Sequence, residues 1–312
     1  MLGLNSLPTL QQRVGNRYND AISVGSASAS SGGATAEPNV FWGRTEGSYS
    51  QATPSNSASV SGINIGQWKA RTGLDTQLYA NQDGALIAGL TAHFGTAVAD
   101  VRSKYGDGRI NTTGTGFGGT LTWYGENDFY VDGQAQATFF NSSLKSNLID
   151  RDMANGVGGT GYAMSVETGK RLGVNGPWTL TPQAQLVYSA VDSNFGDTFG
   201  TSVSLGRSDS LNGRLGMALD HQQIWRNAHG EFTRANAYGI TNVYYEFLGG
   251  TRVNVGGTNF TTGTEKLAAG FGFGGAYNWS NDKYAVYGEA LVKTGFGDDY
   301  SVGGTAGFRA KW

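Results

Sequence analysis

The final stretch of the chain, Tyr300 to Trp312 (YSVGGTAGFRAKW), alternates without a break. Its even positions are Tyr300, Val302, Gly304, Ala306, Phe308, Ala310 and Trp312, each apolar, aromatic or glycine. Its odd positions are Ser301, Gly303, Thr305, Gly307, Arg309 and Lys311, each polar or glycine. Successive side chains of a strand point to opposite faces, so this stretch is a strand with one apolar and one wet side. The same pattern recurs along the chain. From Glu265 the odd positions read Glu265, Leu267, Ala269, Phe271, Phe273, Gly275, Tyr277 and Trp279. Phe129, Val131, Gly133, Ala135, Ala137 and Phe139 stand against Tyr130, Asp132, Gln134, Gln136 and Thr138. Comparable faces run through Leu180–Tyr188 and Leu211–Leu219. Many segments of about ten residues with this period are the pattern of a transmembrane β-barrel, lipid outside and polar lumen inside. A large soluble β-sandwich or β-helix is the competing architecture.

Composition favours the barrel. No apolar run approaches the length of a transmembrane helix, and mean hydropathy is −0.32, so spanning by helices is excluded. A barrel hides its apolar face by alternation and is hydrophilic on average. Aromatic residues at 12% suit two interfacial girdles. The chain has no cysteine, which fits an oxidising compartment entered unfolded. A net charge of −2 with few Lys and Arg speaks against a nucleic-acid partner. Residues 1–20 lack the cationic start and apolar core of a cleavable signal, so the expectation is an excised fragment with an added Met1.

Residues 1–22 are the one helical-looking piece. Ser6 is a suitable N-cap and Pro8 suits a first turn. Leu7, Leu10, Val14 and Tyr18 form a narrow stripe, and Arg13 and Arg17, four apart, need carboxylates nearby. About 15 residues of helix cover ~22 Å, close to the height of a barrel's apolar band. The spacing thus predicts a helix from Leu7 to about Asn19 inside the lumen, with Leu10, Arg13, Val14 and Arg17 as its working residues. Residues 23–37 are small and of low complexity and read as a flexible linker. Residues 38–312 divide into twelve strands, at 38–50, 63–79, 85–103, 108–124, 129–142, 157–172, 179–192, 199–221, 236–248, 264–279, 283–294 and 300–312. Tight turns at 81–84, 125–128 and 280–282 alternate with longer connections at 51–62, 143–156 and 249–263. The short connection at 104–107 and the long one at 226–235 depart from that rule.

The alternation assigns Arg71, Asp75, Gln134, Gln183, Arg214, Glu246, Glu289 and Arg309 to the lumen. Asp75, Glu246 and Glu289 are the expected partners of the helix cations. Gly270, Gly272 and Gly274 on the tenth strand also face inward, together with Gly303 and Gly307 on the twelfth. An inward glycine leaves space, so this wall is expected either to receive the helix or to bend the sheet.

Reaction chemistry has little footing. His93, His221 and His229 are the only histidines; His221 and His229 lie beside Asp220 and Glu231, but nothing in the sequence brings a base into contact with a nucleophile and an orienting acid. The Gly116–Gly119 stretch precedes no helix and is not a nucleotide loop. Asp298 and Asp299 read as a solvated loop pair rather than a calcium site. No cofactor is expected.

Taken in order, several motifs resemble the C-terminal translocator domain of classical autotransporters, the type V secretion system of Gram-negative bacteria. They are Leu7-Pro8-Thr9-Leu10-Gln11-Gln12-Arg13-Val14-Gly15, Asn39-Val40-Phe41-Trp42-Gly43-Arg44, Asn242-Val243-Tyr244-Tyr245-Glu246-Phe247 and Gly307-Phe308-Arg309-Ala310-Lys311-Trp312. The resemblance covers nearly the whole chain. It implies a twelve-stranded barrel integral to the outer membrane and plugged by a helix that is the tail of a covalently linked passenger. It also implies that Phe308 and Trp312 form an assembly signal. The implied partners are the barrel-assembly machinery, periplasmic chaperones, lipid and lipopolysaccharide. Family members that release their passenger often cleave at a helix Asn-Asn, which this sequence lacks. Asn16 and Asn19 are lone asparagines, so the passenger is expected to stay attached or to be cut by another protease. A diffusion porin and an outer-membrane barrel enzyme are the alternatives, and the N-terminal segment argues against a porin, which needs none.

Overall fold

The computed structural model describes residues 1–15, 39–53, 60–196, 202–248, 251–255, 258–262, 266–297 and 299–312. Twelve antiparallel strands close into a barrel. They are β1 (Val40–Ala52), β2 (Val60–Asn81), β3 (Gly84–Ser103), β4 (Gly108–Gly125), β5 (Phe129–Ser146) and β6 (Arg151–Lys170, continued by Leu172–Asn175). The ring goes on through β7 (Trp178–Gly196), β8 (Ser202–Arg226), β9 (Phe232–Glu246), β10 (Leu267–Trp279), β11 (Tyr284–Gly295) and β12 (Tyr300–Lys311). Each strand pairs with the next, and β1 closes on β12 from Val40↔Lys311 to Gln51↔Tyr300. A short hairpin, Thr251–Val255 with Thr258–Thr262, follows β9 in sequence and pairs with the start of β8. An even strand number brings Asn39 and Trp312 to the same end, where the Trp312 amide donates to the Asn39 carbonyl at 3.1 Å.

Burial is inverted relative to a water-soluble domain. Leu90 is 76% exposed, Leu215 67% and Phe273 65%, whereas Asp132, Glu167 and Arg309 are buried almost completely. The alternation explains it: the odd or even set carrying Leu, Phe and Val faces outward, and the polar set faces the lumen. At the tight-turn end Tyr277, Trp279, Tyr284 and Phe308 form a continuous chain of ring contacts at 5.9, 5.7 and 6.3 Å between centroids, the aromatic belt of a membrane interface.

Strand count and order agree with the sequence reading, but several strands run longer. β5 extends to Ser146 and β6 begins at Arg151, so the connection expected at 143–156 shrinks to a turn. β8 and β9 likewise grow toward each other, leaving residues 227–231 between them. The barrel is therefore taller over β2 to β8, with strands of 18–25 residues, than over β10 to β12 and β1, with 12 or 13.

The N-terminal segment departs more. Its helix, α1, spans Leu10–Val14. Its N-cap is Thr9, not Ser6, and Thr9 forms a capping box with Gln12. Residues 2–5 make a turn and residues 6–9 are non-helical. Gly15, at φ 65°, ends the helix, and a side chain there would meet the Tyr287 ring. Arg17, Asn16, Asn19 and the expected linker at 23–37 lie outside the described residues.

Candidate functional site

Five helical residues cannot stand alone in water, because each end leaves backbone groups without partners. The barrel wall supplies those partners. Glu167 accepts from the Leu10 amide at 3.2 Å and is itself held by the Tyr130 hydroxyl at 2.7 Å and Arg214 at 3.3 Å. At the other end the Tyr287 hydroxyl donates to the Arg13 carbonyl at 2.6 Å, and Arg309 donates to the Val14 carbonyl at 3.2 Å. An anion thus meets the helix N-terminus and a cation its C-terminus, the favourable pairing with the helix dipole.

Side chains of α1 reinforce this grip. Arg13 pairs with Asp132 at 2.6 Å and lies 3.6 Å from Asp75, and it donates to Thr122 at 2.9 Å. Thr122 also donates to Asp132 at 2.6 Å, so the buried carboxylate is satisfied on several sides. Leu10 and Val14 pack with Val40, Trp42, Ile87, Tyr124 and Tyr130. Gln12 donates to Glu289 at 2.6 Å, and Glu289 also accepts from Tyr238 at 2.8 Å.

Upstream of α1 the wall holds backbone more than side chains. Gln134 and Gln185 donate to the Pro8 carbonyl at 2.9 and 3.2 Å, Gln136 to that of Asn5 at 2.9 Å, and Lys69 to those of Ser6 and Leu4 at 2.9 and 3.3 Å. Lys69 also reaches the Ser6 hydroxyl at 3.1 Å, and Asn5 is held by its side chain at several points. Its amide nitrogen donates to the Tyr162 carbonyl at 2.9 Å, and its Oδ1 accepts from Thr138 at 3.1 Å and Gln136 at 3.2 Å. The segment follows the barrel axis: Met1 lies beside Gly159, Asn5 beside Tyr162, Leu10 beside Glu167 and Val14 beside Arg309. Met1 therefore points to the long-connection end, and Val14 lies toward the end where Asn39 and Trp312 meet.

The structure places the residues assigned to the lumen as follows. Arg71 donates to Gln136 at 2.5 Å, and Arg214 donates to Gln183 at 3.0 Å and Gln185 at 3.2 Å. Asp75 stands between Arg13 and the Trp42 indole, which donates to it at 3.1 Å. Glu246 does not reach the segment; it accepts from Ser210 and the Leu211 amide near the barrel mouth. Glu289 meets Gln12 rather than Arg13. Asp132 and Glu167, central to the grip, were not singled out from sequence. Asp132 lies on the polar face opposite Val131, and Glu167 on the face opposite Met164 and Val166, which is the signal that marks both.

The glycine wall is filled from its own sheet. A Cβ on Gly270 or Gly272 would come within 2.9 Å of the Tyr244 ring or Ile240, and one on Gly274 would overlap the Tyr238 hydroxyl. Tyr287 lies over Gly307 in the same manner, and Trp42 over Gly73. Each glycine lets a large side chain on the adjacent strand fold flat along the wall. These glycines also stand on strands separated by β11, not on adjacent ones.

His93 is buried and contacts Thr138 at 3.0 Å, and His221 meets Trp178 edge-on at 4.7 Å. Among the described residues no group of His, Asp and Glu has the geometry of a metal site. Phe308 faces outward against Tyr284, and Trp312 is 60% exposed at the membrane-facing edge.

Comparison with known proteins agrees with this geometry. A family model described as the autotransporter beta-domain matches residues 41–291. The adhesin BmaC autotransporter of Brucella suis biovar 1 is 40% identical over 313 residues, covering 99% of this chain and 9% of that relative. The chain thus spans less than a tenth of that relative's length. The transport unit of the autotransporter AIDA-I from Escherichia coli shares the fold, with TM-score 0.74 and 17% identity over 96% of this chain and 99% of that one. The translocator domain of NalP from Neisseria meningitidis does so with TM-score 0.69 and 13% identity, over 95% and 94%. A closed barrel with apolar outside and polar inside, matched by this family along most of its length, leads to one assignment: the chain belongs to the autotransporter beta-domain family and is a translocator barrel integral to the outer membrane.

Proposed function

We propose that this barrel anchors and exports a passenger joined upstream of residue 1, and that residues 1–15 are the passenger's tail, left in the lumen as a plug. The observation that carries this reading is the path of the segment. It enters at the end where both barrel termini lie, is gripped along its length, and points Met1 out of the opposite mouth. In this reading Leu10, Arg13 and Val14 seal the lumen against Asp132, Asp75 and the Trp42 cluster. Arg71, Gln134, Gln183, Arg214 and Arg309 hold the wall in shape around them. Glu246 serves the mouth, and Gly270, Gly272 and Gly274 keep the far wall smooth. Phe308 and Trp312 present the terminal strand to the barrel-assembly machinery after periplasmic chaperones deliver the chain, and the outward belt meets lipid and lipopolysaccharide. The passenger stays attached or is cut upstream by another protease.

Protease treatment of intact cells expressing the full-length protein tests the reading. The passenger should be digested from outside while the barrel survives. A passenger shielded until the outer membrane is broken would overturn it.

A further inference from the structure

The contacts between wall and segment fall into two kinds. One kind reaches the backbone: the carbonyls of Leu4, Asn5, Ser6, Pro8, Arg13 and Val14 and the amide of Leu10. Every residue type offers the carbonyl and every one but proline the amide, so such contacts carry almost no sequence information.

Two of the grips are built to stay that way. Arg71 donates to the Gln136 oxygen, and Arg214 to the Gln185 oxygen. A guanidinium has no acceptor, so it must hold the oxygen of each amide. The amide nitrogen is thereby turned toward the segment, where it meets the carbonyls of Asn5 and Pro8. Arginine orients glutamine, and glutamine holds the peptide.

The other kind reaches polar side chains, and two of these, Asn5 and Arg13, are fully buried, whereas Ser6 and Gln12 meet Lys69 and Glu289 at less buried positions. Asn5 uses its amide nitrogen and its oxygen at the same time, on Tyr162, Thr138 and Gln136. Arg13 meets the buried pair Asp132 and Asp75. A slip of one residue would leave those carboxylates without their cation in a dry site and leave the wall groups around Asn5 facing a side chain of another shape. The backbone contacts, by contrast, would re-form on the next carbonyl.

We propose that the inward face of β2 to β7 is a sequence-tolerant track for a polypeptide backbone, and that Asn5 and Arg13 are the stop residues that fix where a passing chain comes to rest. The ligand is a peptide backbone, held here as a turn, a non-helical stretch and a short helix; the register comes from an asparagine and an arginine eight residues apart. The proposal rests on the translocator reading and adds to it the point at which transport ends.

The absence of native cysteine makes the register directly measurable. A side chain at Gly3 would press on the Gln67 carboxamide, so Gly3→Cys/Gln67→Cys in the full chain reports the native register as a disulfide. Into this background go Asn5→Ala/Arg13→Ala and, separately, Leu7→Thr. The reporter disulfide should fall severalfold in the first and stay near the parent level in the second. An undiminished disulfide in Asn5→Ala/Arg13→Ala overturns the proposal, as does an equal loss in Leu7→Thr. Heat-modifiable migration on unboiled gels verifies a closed barrel in each case. If Asn5→Ala/Arg13→Ala fails to close, Arg13→Lys and Asn5→Gln are read in its place, with the same two outcomes. Surface exposure of the passenger, scored in the same cells, separates failure of the stop from failure of export.

Discussion

Across the lumen from each other stand a wall of charges and amides, carried by β2 to β7, and a wall of rings laid on glycine, carried by β9 to β12. The first holds Lys69, Arg71, Asp75, Asp132, Gln134, Gln136 and Glu167, and nearly all of them reach toward residues 4–13. The second folds Tyr238, Ile240, Tyr244 and Tyr287 flat onto glycines and touches the segment at few points, through Tyr287, Glu289 and Arg309. Beside it a cavity of about 120 Å³ remains between the segment and Ser48, Leu291 and Gly303. One wall binds a chain; the other keeps out of its way.

The comparison can be broken most forcefully by removing what the first wall holds. Deletion of residues 1–22 should leave a folded barrel whose conductance in planar bilayers rises many times over. If the ring-and-glycine wall closed the lumen by itself, conductance would not change. A smaller step is Arg13→Glu, which places a carboxylate beside Asp132 and Asp75. Breaking a buried ion pair costs about 3–5 kcal/mol, enough to release α1. Conductance should then move toward that of the deletion while the barrel's heat-modifiable migration stays normal, and Arg13→Glu/Arg17→Glu should complete the move.

The opposite wall should answer differently. Gly274→Val forces Tyr238 off its bed, an overpacking expected to cost about 1–3 kcal/mol of barrel stability. Urea unfolding from detergent should show the loss, with the segment still docked and conductance low. A large rise in conductance would mean that this wall also seals. The smallest intrinsic effect is expected at the edge of the sheet. Trp312→Ala removes a half-exposed ring and should cost only ~1–2 kcal/mol in refolded protein. Outer-membrane insertion in cells should nevertheless drop sharply, and normal insertion with poor refolding would reverse those roles.

How legible these walls are in sequence differs by feature. Alternation sets strand number and order, because lipid on one side forces every second residue of a spanning strand to be apolar. It fades where a strand leaves the membrane. Both faces of 143–146 and 151–156 are largely polar, so sequence shows a loop where ladder hydrogen bonds continue. The face of Asp132 is readable from Val131 and Val131's neighbours, but its partner is not. Arg13 and Asp132 meet only because closure brings β5 around a segment more than a hundred positions away. The helix starts at Leu10 and not at Leu7 because a stripe at Leu7, Leu10, Val14 and Tyr18 reports apolar spacing and not who takes the backbone carbonyls. With Lys69 and the glutamines taking those of Leu4 to Pro8, the upstream turns have no need of helical bonds. Ring-on-glycine packing needs the register between strands, which no single strand contains.

The pairing of β1 with β12 joins positions some 260 residues apart and so costs the most loop-closure entropy of any seam in the sheet. It is the natural last step of folding. Yet β12 also carries Arg309, whose hold on Val14 lies inside the ring that this seam completes. The molecule is thus a hoop around a thread, and a hoop already shut admits a thread only end-first or as a doubled loop. For a chain bulky at its Met1 end, laying the thread across the open sheet and fastening the hoop over it avoids forcing either through the closed ring.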